Sequence, residues 1–306
     1  MREAWLPLAV LGALAAAPLL GFGGSYETTL MARAMILGMA AVSLAFLVGG
    51  AGLVSLGHAA ALGIGAYAVA ILDAHGVTDA ARVLPTAIGA AAVFSLVTGA
   101  IAIRTSGVHF IMITLAFGQM AFFPASSLAA YGGVDGSTMY SRTGVAGSRL
   151  LENRLAFHYI CLGALALTWA ICAMLLASRF GRVLRAAREN AQRVEAVGLA
   201  PYPFRLLGYT LAGAMGGLAG FLLANATEFV SPATLSWQRS GELLFMVILG
   251  GAGRLWGGML GALVFVVLET WLAQQMQHWK LVFGPLLVLA VIFLRGGLAG
   301  LVARRG

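Results

Sequence analysis

Residues 155–177 read LAFHYICLGALALTWAICAMLLA, a run of 23 positions without Asp, Glu, Lys or Arg. As a helix rising about 1.5 Å per residue this run is about 35 Å long, enough to cross the ~30 Å hydrocarbon layer of a bilayer. The run is continuous and rich in Ala and Leu, with none of the alternation of a membrane β-strand, so a helix is the way its backbone satisfies itself in lipid. Outward from it, comparable apolar runs recur at roughly 5–22, 29–48, 52–73, 84–103, 108–130, 203–227, 240–252, 256–275 and 280–298. The expected fold class is an all-α integral membrane protein, a polytopic bundle of about ten transmembrane helices forming one domain over residues 1–306. The run at 240–252 is short and ends in glycine, and the run at 52–73 opens in glycine-rich sequence, so both read as broken or tilted elements.

Composition excludes the alternatives. The chain is 60% hydrophobic and 10% charged, with mean hydropathy +0.92. Soluble domains carry about 25% charged residues. The net charge of +8 comes with no stacking aromatics interleaved among the arginines, which argues against nucleic acid and for the positive-inside rule. With the N-terminus inside, the inside segments hold 12 of the 19 basic residues and three of the 11 acids, so both termini are expected to be cytoplasmic. The first run also has the look of a signal peptide, with Arg2, an apolar stretch and Ala15-Ala16-Ala17, although Glu3 offsets its charge. Cys161 and Cys172 are about 16 Å apart along one helix, too far for a disulfide, and read as packing residues. The sole lysine, Lys280, lies between Trp279 and Leu281, so no Walker A motif exists. Neither paired carboxylates nor metal-ligand spacing nor a nucleophile–base pair stands out at membrane depth, so the chain reads as a non-enzyme without cofactor or metal.

Two loops are informative. Residues 131–154 are expected outside. Residues 178–202 are expected inside as one amphipathic helix, with Phe180, Val183, Leu184, Ala187 and Ala191 at helical spacing. Ser178 is placed to cap its start, and Gly198 and Pro201 to end it. Such a helix fits either a lipid surface or a protein partner. Polar residues at membrane depth are functional candidates because they are costly there. Thr114, Gln119, Asn225 and Glu242 qualify; the plainer alternative puts Asn225 and Glu242 at the outer rim, cheap because water reaches them, and bonds Thr114 to its own helix backbone. His58 falls near an inside helix start, where it fits capping, a hydrogen bond to the backbone or contact with a ligand. The short repeat Gly49-Gly50-Ala51-Gly52 and Gly250-Gly251-Ala252-Gly253 faces the same way in both copies, so it marks no inverted duplication.

Several blocks in order resemble a known family. They are Ser55-Leu56-Gly57-His58-Ala59-Ala60 with Gly63 to Tyr67, Gly107 to Phe110 with Thr114 to Gln119, and Gly132 to Gly136. Ser178 to Asn190 with Ala196 to Leu199 follows, then Ala212 to Gly220, Met246 to Gly253 and Trp256-Gly257-Gly258. Together they resemble the permease subunit of branched-chain amino-acid ABC transporters, LivM type. The resemblance implies import of leucine, isoleucine or valine by alternating access; related permeases carry urea or short amides, and a stand-alone channel or secondary transporter is the other transport reading. It implies a bacterial inner-membrane location and these partners: a second permease of LivH type, two ABC ATPases that hold the ATP and Mg, and a periplasmic substrate-binding protein. It further implies that Phe180, Arg182, Val183, Leu184, Arg185, Arg188, Glu189 and Gly198 couple the chain to an ATPase. Ser55, His58, Thr114, Gln119 and Glu242 are the implied candidates for the translocation pathway. Ala187 and Gln192 depart mildly from the family's pattern in the coupling segment.

Overall fold

The computed structural model of the chain describes residues 5–18, 24–139, 142–144, 150–276, 278, 281–285, 288–289 and 296–303. The protein is all-α and multi-pass. In chain order the helices are α1 (Trp5–Ala16), α2 (Ser25–Phe46), α3 (His58–Ala74), α4 (Ala80–Ala102), α5 (Val108–Ser127) and α6 (Arg154–Ala177). They continue as α7 (Arg179–Glu189), α8 (Ala191–Ala196), α9 (Pro201–Thr227), α10 (Trp237–Gly250), α11 (Leu255–Gln275) and α12 (Gly297–Ala303). Among the described residues, six segments are long and apolar enough to cross a membrane: α2 with the π-helical turn Leu47–Ala51 that extends it, α4, α5, α6, α9 and α11. About half of the tenth expected span, at 280–298, lies outside the described residues, as do residues 19–22 at the end of the first.

α2 is the central helix. It is apolar on every side, 89% of its apolar window is buried, and it packs against α6, α9 and α11, which is the place for a helix without a polar face. α9 packs against α3 and α4 with backbones nearly touching: Gly217 meets the backbone of α4 and Gly220 that of α3, an approach that side chains at those positions would block. α4, α5 and α6 form the outer shell, with only 22–28% of their apolar windows buried and Val97, Met112, Phe123 and Leu167 exposed. Cys161 and Cys172 are fully buried free thiols, as packing residues should be.

Contacts sort the loops to two ends. At one end Arg188 Nη1 donates to Gly49 O at 2.5 Å, and Tyr202 Oη donates to Ala100 O at 2.8 Å. The two Gly-Gly-Ala-Gly segments meet there, Gly49 packing on the carbonyl of Ala252. At the other end Gln274 Nε2 donates to Tyr26 Oη at 2.8 Å, and Arg142 pairs with Glu228 at 2.7 Å. There, too, the two-residue strands β1 (Ser137–Thr138) and β2 (Phe229–Val230) pair antiparallel, Ser137 opposite Val230.

Two elements stop short of crossing. The run expected at 52–73 becomes helical only at His58, and 52–57 is irregular. The run expected at 240–252 begins earlier, at Trp237, and at 14 residues is only about 21 Å long. Between β2 and α10 the chain turns inward through the 3-10 turn Pro232–Leu235, whose Leu235 packs against Gly63 in α3. The segment 178–202 is also corrected. It forms two helices, because Asn190 adopts an extended conformation and its Oδ1 accepts from Arg193 N at 3.0 Å, capping α8. Ser178 caps α7 and Gly198 ends α8 with φ +84°, whereas Pro201 opens α9.

Candidate functional site

The break between α2 and α3 builds the polar centre of the bundle. The π-turn Leu47–Ala51 ends at Gly52, whose φ of +70° turns the chain back into the bundle. Irregular backbone at membrane depth needs protein partners for its amides, and polar side chains from three elements supply them. Thr114 Oγ1 on α5 accepts from Leu56 N at 3.3 Å and donates to its own Ile111 O at 3.0 Å. Ser55 Oγ accepts from Gly57 N at 3.2 Å, and Ser240 Oγ on α10 accepts from Ala59 N at 3.0 Å. Gly57 lies directly against the Thr114 carbonyl, in the place a Cβ would need.

His58 is the first residue of α3 and is buried. Ser43 Oγ donates to Ala40 O at 2.9 Å, so its single proton is spent and His58 Nε2–H donates to it across 2.8 Å. The histidine therefore ties α3 to α2. Tyr209 on α9 closes the cluster, its hydroxyl 3.5 Å from Ser55 Oγ.

Of the five pathway candidates, Ser55, His58 and Thr114 converge here. Gln119 stands beside them on α5, next to Gly118, which packs on Gly57; its buried Nε2 has no hydrogen-bond partner. Tyr67, in a cavity of about 410 Å³ between α3, α4 and α5, likewise has a buried hydroxyl without a partner. Glu242 is not brought into the cluster: it sits on the other side of α10 from Ser240 and pairs with Arg239 at 2.5 Å. Nor is it at the rim, since the inward turn before α10 carries it to about mid-depth. Asn225 does lie near the end of α9, but it is fully buried, its Oδ1 accepting from Thr143 N at 2.8 Å. Sequence reading missed Ser43, Tyr209 and Ser240 as members of the site.

A family model described as branched-chain amino acid transport system / permease component matches residues 27–292. The chain belongs to this permease family. It is 28% identical over 274 residues to the LivM permease protein of the high-affinity branched-chain amino acid transport system of Escherichia coli K12, covering 82% of this chain and 64% of that protein. The chain thus spans somewhat less than two thirds of that relative's length. It is 28% identical over 316 residues to the LivM protein of Salmonella typhimurium LT2, covering 95% of this chain and 73% of that one. A part of the chain, 47%, is 30% identical to the autoinducer 2 import system permease protein LsrC of Klebsiella pneumoniae, over 46% of that protein. No solved structure matches.

Outside the bundle, this permease carries α7 with its apolar side turned in. Leu184 has no exposed surface and packs near Gly50 and Gly208, with Phe180 beside it against Phe204. Arg188 lies over Gly52 while donating to Gly49, and Arg205 Nη2 donates to Ala187 O at 2.6 Å near the end of α7. Arg182, Arg185, Arg188 and Glu189 are exposed. Leu184 and, in part, Phe180 are therefore used within the chain, and α7 turns its charged face outward.

Proposed function

We propose that this permease is the transmembrane subunit of an ATP-driven importer of branched-chain amino acids, with separate ATPase subunits coupled to alternating access. The observation that carries this reading is a connected path of contacts from outside to centre. The exposed face of α7 leads through Arg188 to Gly49 and Gly52, and the same irregular segment ends in Ser55, Gly57 and His58 at the polar centre. A push on α7 would reach the break between α2 and α3 through rigid packing, as an element with two discrete arrangements requires.

In this reading the end that bears α7 and α8 is cytoplasmic, both termini lie on that side, and the membrane is the bacterial inner membrane. Arg182, Arg185 and Glu189, with Val197 and Gly198, meet an ATPase, and Arg188, also exposed, links that face to Gly49. Ser55, Thr114 and Gln119 adjoin the pathway, where the unpartnered amide of Gln119 and hydroxyl of Tyr67 support access of a polar group. Two LivM relatives named for branched-chain amino acid transport support the substrate class. A second permease of LivH type, two ABC ATPases holding ATP and Mg, and a periplasmic binding protein complete the complex.

The test is uptake of labelled leucine into proteoliposomes holding the complete complex with loaded binding protein. ATP-dependent accumulation is expected. Equal uptake by this chain alone without ATP, or an active complex that carries no branched-chain amino acid, would overturn the reading.

A further inference from the structure

At the end of the bundle away from α7, two arginines share one small cavity. It lies between Thr28 and Thr29 of α2, Arg154 and Phe157 of α6, Ala226 of α9, and Arg142 of the loop before α6. Its volume of about 20 Å³ is room for one water-sized group, which needs roughly 10–15 Å³. Among the described residues that line it, none is a carboxylate. Glu228 pairs with Arg142 at 2.7 Å but does not line the cavity, and Arg154 donates to Ser25 Oγ, a neutral acceptor. The two guanidinium groups thus carry one positive charge more than Glu228 balances. Glu27, two positions from Thr29, points to another side of α2, where it accepts from Gly24 N at 3.3 Å.

The surroundings add to the imbalance. Arg154 is the first residue of α6, and its partner Ser25 is the first of α2. The guanidinium therefore stands at the positive ends of two helix dipoles, where a cation is disfavoured. The spot also borders apolar surface: Tyr26 of α2 and Leu155 and Tyr159 of α6 are exposed on the first two turns of their helices. Aromatic side chains beside a cation at the end of a spanning helix mark the level of lipid headgroups.

We propose that this cavity takes one oxygen of a phosphate group, held between the guanidinium groups of Arg142 and Arg154. Arginine forms its strong, charge-assisted hydrogen bonds with phosphate and carboxylate oxygens, and phosphate is the anion a bilayer presents at headgroup level. A singly charged phosphodiester balances the surplus charge and relieves both the like-charge contact and the misplaced cation on α6. The exposed Leu155 and Tyr159 give the tails of such a lipid a surface to follow. Free phosphate has the same chemistry and is the other source. The site is independent of what the permease carries.

The test uses the full-length permease in a neutral detergent, reading bound lipid by native mass spectrometry and the melting temperature. The probes are phosphatidylglycerol, diacylglycerol with the same tails, and inorganic phosphate. Wild type is expected to retain phosphatidylglycerol over diacylglycerol and to melt higher with it. Arg154→Gln should weaken phosphatidylglycerol binding about tenfold, the loss of one charge-assisted contact, while Arg154→Lys keeps most of it. Thr29→Leu covers the cavity from the exposed side of α2, leaves both arginines in place and should weaken binding likewise. Without lipid, Arg154→Gln should melt no lower than wild type, because it removes a cation from the positive end of a helix. A merely structural Arg154–Ser25 tie would instead lower that temperature and leave lipid binding unchanged, which overturns the proposal. Inorganic phosphate that stabilises wild type but not Arg154→Gln, with no lipid retained, supports the site and gives it to free phosphate. Phosphatidylglycerol bound equally by wild type and both Arg154→Gln and Thr29→Leu, or diacylglycerol bound as tightly as phosphatidylglycerol, would overturn it.

Discussion

Gly57→Val is expected to leave the chain inserted in the membrane but to abolish a folded bundle. The residue sits where the irregular segment 52–57 presses on α5, and the carbonyl of Thr114 occupies the space a Cβ would take. No flexible side chain is there to move: the obstacle is the backbone of a transmembrane helix. Forcing the two apart costs about 1–3 kcal/mol in overpacking. It also separates Leu56 N from Thr114 Oγ1 and strands an amide at membrane depth, a further ~1–3 kcal/mol. The sum is a large fraction of a typical stability of roughly 5–15 kcal/mol. Size-exclusion profiles of the purified variant should show loss of the monodisperse peak that Gly57→Ala partly retains. A wild-type profile and melting temperature for Gly57→Val would show that the segment is not held against α5 as described.

Leu184→Asp is expected to be nearly as damaging, through the chain's own packing. Leu184 is fully buried between α7 and the bundle. A carboxylate there is cut off from water, and burying the charge or leaving the site costs on the order of 3–5 kcal/mol. The expected result is release of α7, with loss of folded permease before any question of docking arises. Arg185→Glu is the informative companion. Arg185 is exposed, so the permease should fold with an unchanged melting temperature while ATPase co-purification falls severalfold. A Leu184→Asp permease that purifies normally and loses only its ATPase would restore the docking role first given to that side chain.

Hydropathy made the long spans legible because nothing competes with it there: α6 begins and ends at 154 and 177, against 155–177 read from sequence. The break at 52–57 was visible only as a run of glycines, since Leu53, Val54 and Leu56 keep the apolar signal continuous through it. The inward turn at Pro232–Leu235 is not visible in the sequence, and for that reason Glu242 reads there as a rim residue, while the structure places it well inside α10's pairing with α11. The helix expected at 178–202 was periodic through Asn190, but that side chain serves the next helix as a cap and so interrupts the first. Thr114 was legible as a polar residue at depth. Its partner Leu56 N, and the pairing of Ser43 with His58 and of Tyr209 with Ser55, join positions 15 to 154 residues apart that no local spacing connects.

The central claim is that ATP moves this bundle between outward and inward access around the interrupted spans. The most direct measurement is thiol accessibility at Gln119→Cys in a background lacking Cys161 and Cys172, within the complete complex. A membrane-impermeant maleimide is added from one side or the other, with and without trapped nucleotide. The account predicts that labelling passes from one side to the other on nucleotide trapping. Labelling from the same side at the same rate in both states would contradict it.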